Sequence, residues 1–243
     1  MKYIALQLYS IREQMENDFE NGLRMAAKAG FNSVEFAGYG EIAAPEMVKL
    51  CRRHGLKPIS SHVGIDLLMD DLDGCIKYLT DIGAIMAFCP HSAPKTLDEV
   101  KGVAEVLETS AAKMKAAGLK FGYHNHAHEF KKIDGKYIMD WLLELAPGCD
   151  FQPDVFWVAR GGEDPLAYPI SKKGRVAAIH AKDIAADFKT DAYTGEGVID
   201  FAALAKVFDS DLYPYIVEQE VFFGDVQEGL NRCYAGLVKK LNG

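Results

Sequence analysis

Residues 26–36 read AAKAGFNSVEF: a helix-patterned stretch, a glycine, and at once a short apolar run. The same join recurs as CRRHG then LKPISSH (51–62), LTDIG then AIMAFC (79–89), KMKAAG then LKFGYH (113–124) and LELAPG then CDFQPD (143–154). Gly30, Gly55, Gly83, Gly118 and Gly148 stand where a helix end calls for a left-handed residue, which costs glycine nothing. The runs that follow have the length and apolar density of strands buried on both faces. Adding YIALQLYS (3–10), VAAIHAKD (176–183) and LYPYIVEQE (212–220) brings the strands to eight.

Helical patterns fill the gaps, at about 18–29, 45–54, 68–82, 97–117, 137–145, 165–173, 200–208 and 225–241, with Asp18, Thr96 and Asp200 placed to cap three of them. Strands alternating with helices imply right-handed crossovers and a parallel sheet. Eight units of about 30 residues match the (β/α)8 TIM barrel in number and total length. An open doubly wound sheet would carry a glycine-rich phosphate turn after its first strand, where this chain has LYSIREQ. With no linker rich in Pro, Gly or Ser, residues 1–243 are expected to form one domain.

The 243 residues are 49% hydrophobic and 26% charged, the composition of an ordinary globular chain. A net charge of −8 argues against a nucleic-acid partner, whose affinity would rest on a basic surface, and for a small polar ligand. Five scattered cysteines without a CxxC spacing are expected as buried reduced thiols, which fits a cytoplasmic location. The start MKYIALQLYS has no apolar signal core, and no run approaches the ~18 residues of a membrane span, so no membrane partner is expected. A homo-oligomer stays open.

In such a barrel the chemistry gathers where strands run into their following loops. The polar residues there are Gln7 and Tyr9, Glu35, His62, Cys89 and His91, then His124, Asn125 and His126, then Asp154, His180 with Lys182, and Glu218 with Glu220. A carboxylate closing an apolar strand is costly if buried alone. Carboxylates and imidazoles that converge on one point suit a divalent cation, which offsets their repulsion. Each residue has a plainer alternative: Asp154 as a cap on a loop or turn, His180 bonded to a backbone carbonyl, Glu218 paired with Lys182, Glu35 paired with a Lys or Arg. His128 and Glu129 read equally well as solvated loop, and His54, beside a helix-ending glycine, as a complement to the helix dipole.

The stretches GFNSVEFAGYG, FGYHNHAHEF, DVFWVARGGEDP, IHAKD, TGEGVIDF and YIVEQE resemble the xylose-isomerase-like TIM-barrel superfamily, and within it the sugar phosphate isomerase/epimerase branch that also holds inosose dehydratases and ketose epimerases. The likeness runs from about residue 3 to residue 238. It implies a divalent metal (Mn, Mg, Co or Zn), with Asp154, His180 and Glu218 matching three family ligands. His124 stands where the family has a glutamate, with Glu129 a more distant substitute, and Trp157 where ketose epimerases carry a substrate-binding His.

The expected reaction is proton abstraction beside the carbonyl of a small sugar, giving isomerisation or epimerisation. The same intermediate expelling a β-hydroxyl would make a dehydratase or lyase. The catalytic candidates are Glu218, His62, His126 and Lys182, with Glu35 as a further base. Gln7, Tyr9, Glu35, Trp157 and Glu220 are expected to meet the substrate. Tyr9, Phe36, Tyr39, Phe130, Trp157 and Phe222 are candidates to cover a sugar face, and the loop of Gly195 and Gly197 to fold over the metal. A non-catalytic sugar-binding barrel and an abasic-site DNA endonuclease are the competing classes, the latter disfavoured by the net charge.

Overall fold

The computed structural model describes residues 3–16 and 18–242, and its eight parallel strands wrap into one barrel. They are β1 (Ile4–Gln7), β2 (Ser33–Ala37), β3 (Lys57–His62), β4 (Met86–Cys89), β5 (Lys120–His124), β6 (Asp150–Gln152), β7 (Ile179–Ala181) and β8 (Tyr215–Val217). Hydrogen bonding runs β6-β5-β4-β3-β2-β1-β8-β7. The remaining seam is bridged by Ala177 N donating to Phe151 O and His180 N to Pro153 O, both at 2.9 Å. All eight expected strands are present, several shorter than their apolar runs.

The helices follow from local chemistry. Asp18, Thr96 and Asp200 each accept a backbone N–H of the first turn, as their positions predict. Gly30, Gly55, Gly83 and Gly118 adopt positive φ, but Gly148 does not. The helix before it ends at Leu145, and Gly148 N donates instead to Glu108 Oε2 at 2.6 Å. The expected helix at 68–82 is two, Ile65–Asp70 and Leu72–Ile82, because Asp71 leaves helical geometry and its side chain caps the second. The 165–173 pattern contracts to Ala167–Ser171, and a helix not anticipated, Val155–Arg160, starts directly after β6.

Alternation along β1 separates two apolar clusters. Ile4 and Leu6 face the helices with the main core. Ala5 packs with Ile59, Met86, Phe88 and Ile216 in a small second cluster that fills the barrel interior. Gln7 shares the face of Ala5 one step higher, where the interior turns polar. All five cysteines are buried and free, and no helix among the described residues is long and apolar enough to cross a membrane.

Candidate metal centre

Above the apolar plug, His124, Asp154, His180 and Glu218 come together, each offering a ligand atom within 4.8 Å of the others. They arrive from four consecutive strands. His124 ends β5, Asp154 lies two residues past β6, His180 is central in β7, and Glu218 follows β8. All four are buried.

Asp154 does two jobs. Its Oδ1 accepts from Trp157 N at 2.9 Å and so caps the helix Val155–Arg160, while its Oδ2 is buried without a hydrogen bond. Asn125 fixes its backbone, accepting from Asp154 N at 3.0 Å and donating to Asp154 O at 3.3 Å. His180 is held from behind: its Nε2 lies 2.7 Å from Glu35 Oε1. An ionised carboxylate has no proton to give, so Nε2 donates, and Nδ1 is directed to the other side. There Nδ1 lies 3.0 Å from Glu218 Oε2 and 3.5 Å from Asp154 Oδ2, aligned for a hydrogen bond with neither. His124 Nδ1 is likewise buried and unpartnered. Buried carboxylate and imidazole atoms left without hydrogen-bond partners are expensive unless something cationic fills the gap, so this donor set fits a divalent ion.

The electrostatics are those of a site that draws in positive charge. Burial pushes His124 well below the ordinary histidine range, with His180, His62 and His126 adding to the effect, so it rests in its neutral, ligating form. Burial also works against a charged His180, but Glu35, Asp154 and Glu218 outweigh it and hold the imidazole well above its usual range. Glu218 is raised by burial yet brought down to about 2 by neighbouring His180 and Lys182, and stays ionised. Asp154 is raised, chiefly by burial.

Glu35 and Gln7 are not where a substrate could meet them. Both are wholly buried beneath the cluster. Glu35 accepts from Gln7 Nε2 (2.7 Å), from Gln152 Nε2 (2.9 Å) and from Ser60 Oγ, and lies 3.0 Å from His62 Nε2. Its partners are thus polar neutral groups and imidazoles rather than a Lys or Arg. The expected substrate contacts become supports that orient His180 and His62. Ser60 and Gln152 were not among the sequence candidates. A β-bulge at Val34/Glu35 skips Ile59 and sets Ser60 opposite Glu35, which strand alternation alone does not reveal. Gln152, a polar residue at the end of an apolar run, was a readable signal.

A cavity of about 480 Å³ opens over the cluster. His62, His124, His126, Trp157, Glu218, Glu220 and Tyr9 line it, and so does His91, which is exposed. His126 Nδ1 and Trp157 Nε1 are buried without partners. Burial lowers His126 to about 4. Lys182 is buried, its ammonium paired with Glu220 and lying over the Phe156 and Trp157 rings at 4.4 and 4.6 Å. Glu218, the expected alternative partner, is not the one it binds.

Other expectations fall away. Phe36 and Phe130 are core residues, Tyr39 donates to Ser61, and Phe222 packs near Tyr193. Glu129 belongs to no metal-competent group among the described residues: it is buried and accepts from Tyr123 OH and His126 N, each at 2.8 Å. His54, by contrast, stands at the C-terminal end of the helix Ala44–Arg53 as expected, and pairs with Glu20 at 2.9 Å. The Gly195–Gly197 loop is pinned to Asp183 and packs on Gly236, away from the cavity lining.

A solved sugar phosphate isomerase/epimerase from Parabacteroides distasonis superposes with a TM-score of 0.84 at 25% identity, over 99% of this chain and 95% of its own. The probable 3-DHS dehydratase AsbF of Bacillus anthracis gives 0.76 at 13%, over 98% and 99%. The IOLI protein, solved with a zinc atom bound, gives 0.75 at 13%, over 100% and 98%. The last two speak for the fold alone. No curated protein matches the sequence. The model of the xylose isomerase-like TIM barrel family matches residues 23–232, and the chain belongs to that family.

Proposed function

We propose that the protein is a divalent-metal-dependent enzyme that isomerises or epimerises a small sugar or keto-sugar by abstracting a proton beside a carbonyl. The observation that carries this reading is the convergence of His124, Asp154, His180 and Glu218, three of which present buried atoms with no hydrogen-bond partner. Those four residues would hold the ion, and their mixture of imidazole and carboxylate suits Mn, Co or Zn and admits Mg less readily. When bound, such an ion supplies a Lewis acid that stabilises negative charge growing on a carbonyl oxygen. The likeness to a sugar phosphate isomerase/epimerase and the zinc in a fold neighbour support the same reading.

The chain's own residues then have distinct tasks. Glu35 orients His180 through Nε2 and so aims Nδ1 at the centre. Glu218 is ionised and borders the cavity, as a proton acceptor must. His62 and His126 also border it and are the candidates for returning the proton from another direction. Lys182 holds Glu220 and offsets the excess of carboxylates. Trp157 and Tyr9 shield a sugar ring from water.

Incubation with ketoses and inososes in D2O with added Mn(II) tests this. Deuterium is expected at the carbon beside the carbonyl of the accepted sugar, and is expected to vanish with EDTA or in Asp154→Asn. A product lighter by one water would reassign the reaction to dehydration. Affinity for a sugar with no exchange under any of the four metals would leave a binding protein instead.

A further inference from the structure

A second hollow, of about 360 Å³, adjoins the cavity and shares His91 as a wall. His126 lines the first and His128 the second, their rings 5.6 and 4.9 Å from that of His91. The floor includes Pro94, Ile133 and Ile138, and the rim carries Lys95, Lys131 and Lys132.

Three features mark this hollow as a place for negative charge. No carboxylate lines it, and none of the three lysines has an ion pair among the described residues. Lys132 has only the Tyr137 ring beneath its ammonium, at 4.9 Å. The carboxylates beside it are held by hydrogen bonds: Glu99 accepts from Lys95 N, and Glu129 accepts from Tyr123 OH and His126 N and lies 3.1 Å from His128 Nε2. In a chain of net charge −8 this is a local reversal of sign.

The rim is also built rather than loose. Lys131 N donates to His128 O at 3.1 Å and Ile138 N to Lys131 O at 3.0 Å. The hairpin that follows turns through Asp134 and Gly135, both at positive φ. His128 Nε2, 2.6 Å from Ser92 O, ties this loop to the one bearing His91 and Lys95.

No lysine or arginine lines the first cavity. Glu218 and Glu220 line it, and its neighbouring cation, Lys182, is taken by Glu220. We propose that the Lys95–Lys131–Lys132 hollow is an anion subsite for the distal phosphate or carboxylate of the substrate, the sugar end of which lies in the histidine-lined cavity. This rests on the metal-site reading for what occupies the first cavity, but not for the hollow's own chemistry.

The test has two arms on the full-length protein. Inorganic phosphate is titrated into wild type and into K95A/K131A/K132A at low and high salt, followed by amide NMR. Salt-sensitive shifts centred on residues 91–95 and 128–133, weakened about tenfold or more in the triple variant, are expected. Shifts elsewhere, equal binding by both proteins, or no binding would overturn the subsite. The second arm compares phosphorylated or carboxylated sugars with their neutral parents. The ratio of their kcat/KM values is expected to fall about tenfold in the triple variant, whereas an unchanged ratio beside lost phosphate binding would give the hollow to a free anion and overturn the proposal. Absence of metal-dependent exchange with every sugar, with phosphate binding intact, would instead strike the catalytic reading.

Discussion

Asp154 shows why a residue's structural and functional readings need not compete. One oxygen caps a helix and the other is free for a ligand. That division makes a clean experiment. Asn caps as well as Asp does, so Asp154→Asn is expected to keep the helix while losing the charged ligand; Asp154→Ala loses both, at an extra cost of about 1 kcal/mol. Chemical denaturation separates the two, and equal stability of the variants would show that the cap contributes nothing. Glu35 is the other instructive position. Its identity at a strand end was legible, but its role was not, because the bulge that turns it toward Ser60 and the depth that hides it from solvent are products of strand pairing. Glu35→Gln keeps the volume and removes the carboxylate that accepts from His180. Metal affinity is expected to fall about 10–100-fold, read by competition with a chelating dye. Unchanged affinity would detach Glu35 from the centre.

At the scale of elements, what could be read in advance was whatever depends on a residue and its near neighbours. Asp18, Thr96 and Asp200 cap helices, and Gly30 and Gly83 end them, because those interactions close within a turn. The failures lie where distant chain decides. Gly148 finds Glu108 across the fold and needs no left-handed turn. The helix Val155–Arg160 is too short and too uniformly apolar to show a period, and its start is set by Asp154. The Gly195–Gly197 loop is the clearest case. Asp183 sits inside it and accepts from the backbone N–H groups of Ile184, Gly195, Gly197 and Ile199, and Gly195 touches the backbone of Gly236. A loop held by three of its own donors, Gly195, Gly197 and Ile199, on one buried carboxylate is not a lid. Asp183→Ala would orphan those donors, each costing about 1–3 kcal/mol when buried and fewer where water reaches them. A loss of several kcal/mol in denaturant unfolding and new proteolysis within 190–200 are expected. A loss below about 1 kcal/mol would mean the loop holds itself.

For the molecule as a whole, the barrel stacks an apolar plug beneath a polar layer. Ala5, Ile59, Met86, Phe88 and Ile216 form the plug, and Gln7, Glu35, Gln152, His124, Asp154, His180 and Glu218 lie above it. In the upper layer burial raises Asp154 and several polar atoms are left unpaired, both of which a cation would relieve. A cation that binds the folded chain and not the unfolded one must therefore stabilise the whole protein. At a free concentration one hundred times its Kd the gain is about 2.7 kcal/mol. For a domain of this size each kcal/mol moves Tm by about 2–4 °C, so Mn(II) or Zn(II) is expected to raise Tm by about 5–10 °C over EDTA-treated protein. The increment should disappear in Asp154→Asn, which retains the helix cap and lacks only the charged ligand. An equal increment in both proteins would place the ion elsewhere on the surface. No increment with any divalent metal would mean that the unpartnered atoms of His124, Asp154 and His180 are satisfied by water and that these residues serve the fold rather than a cation.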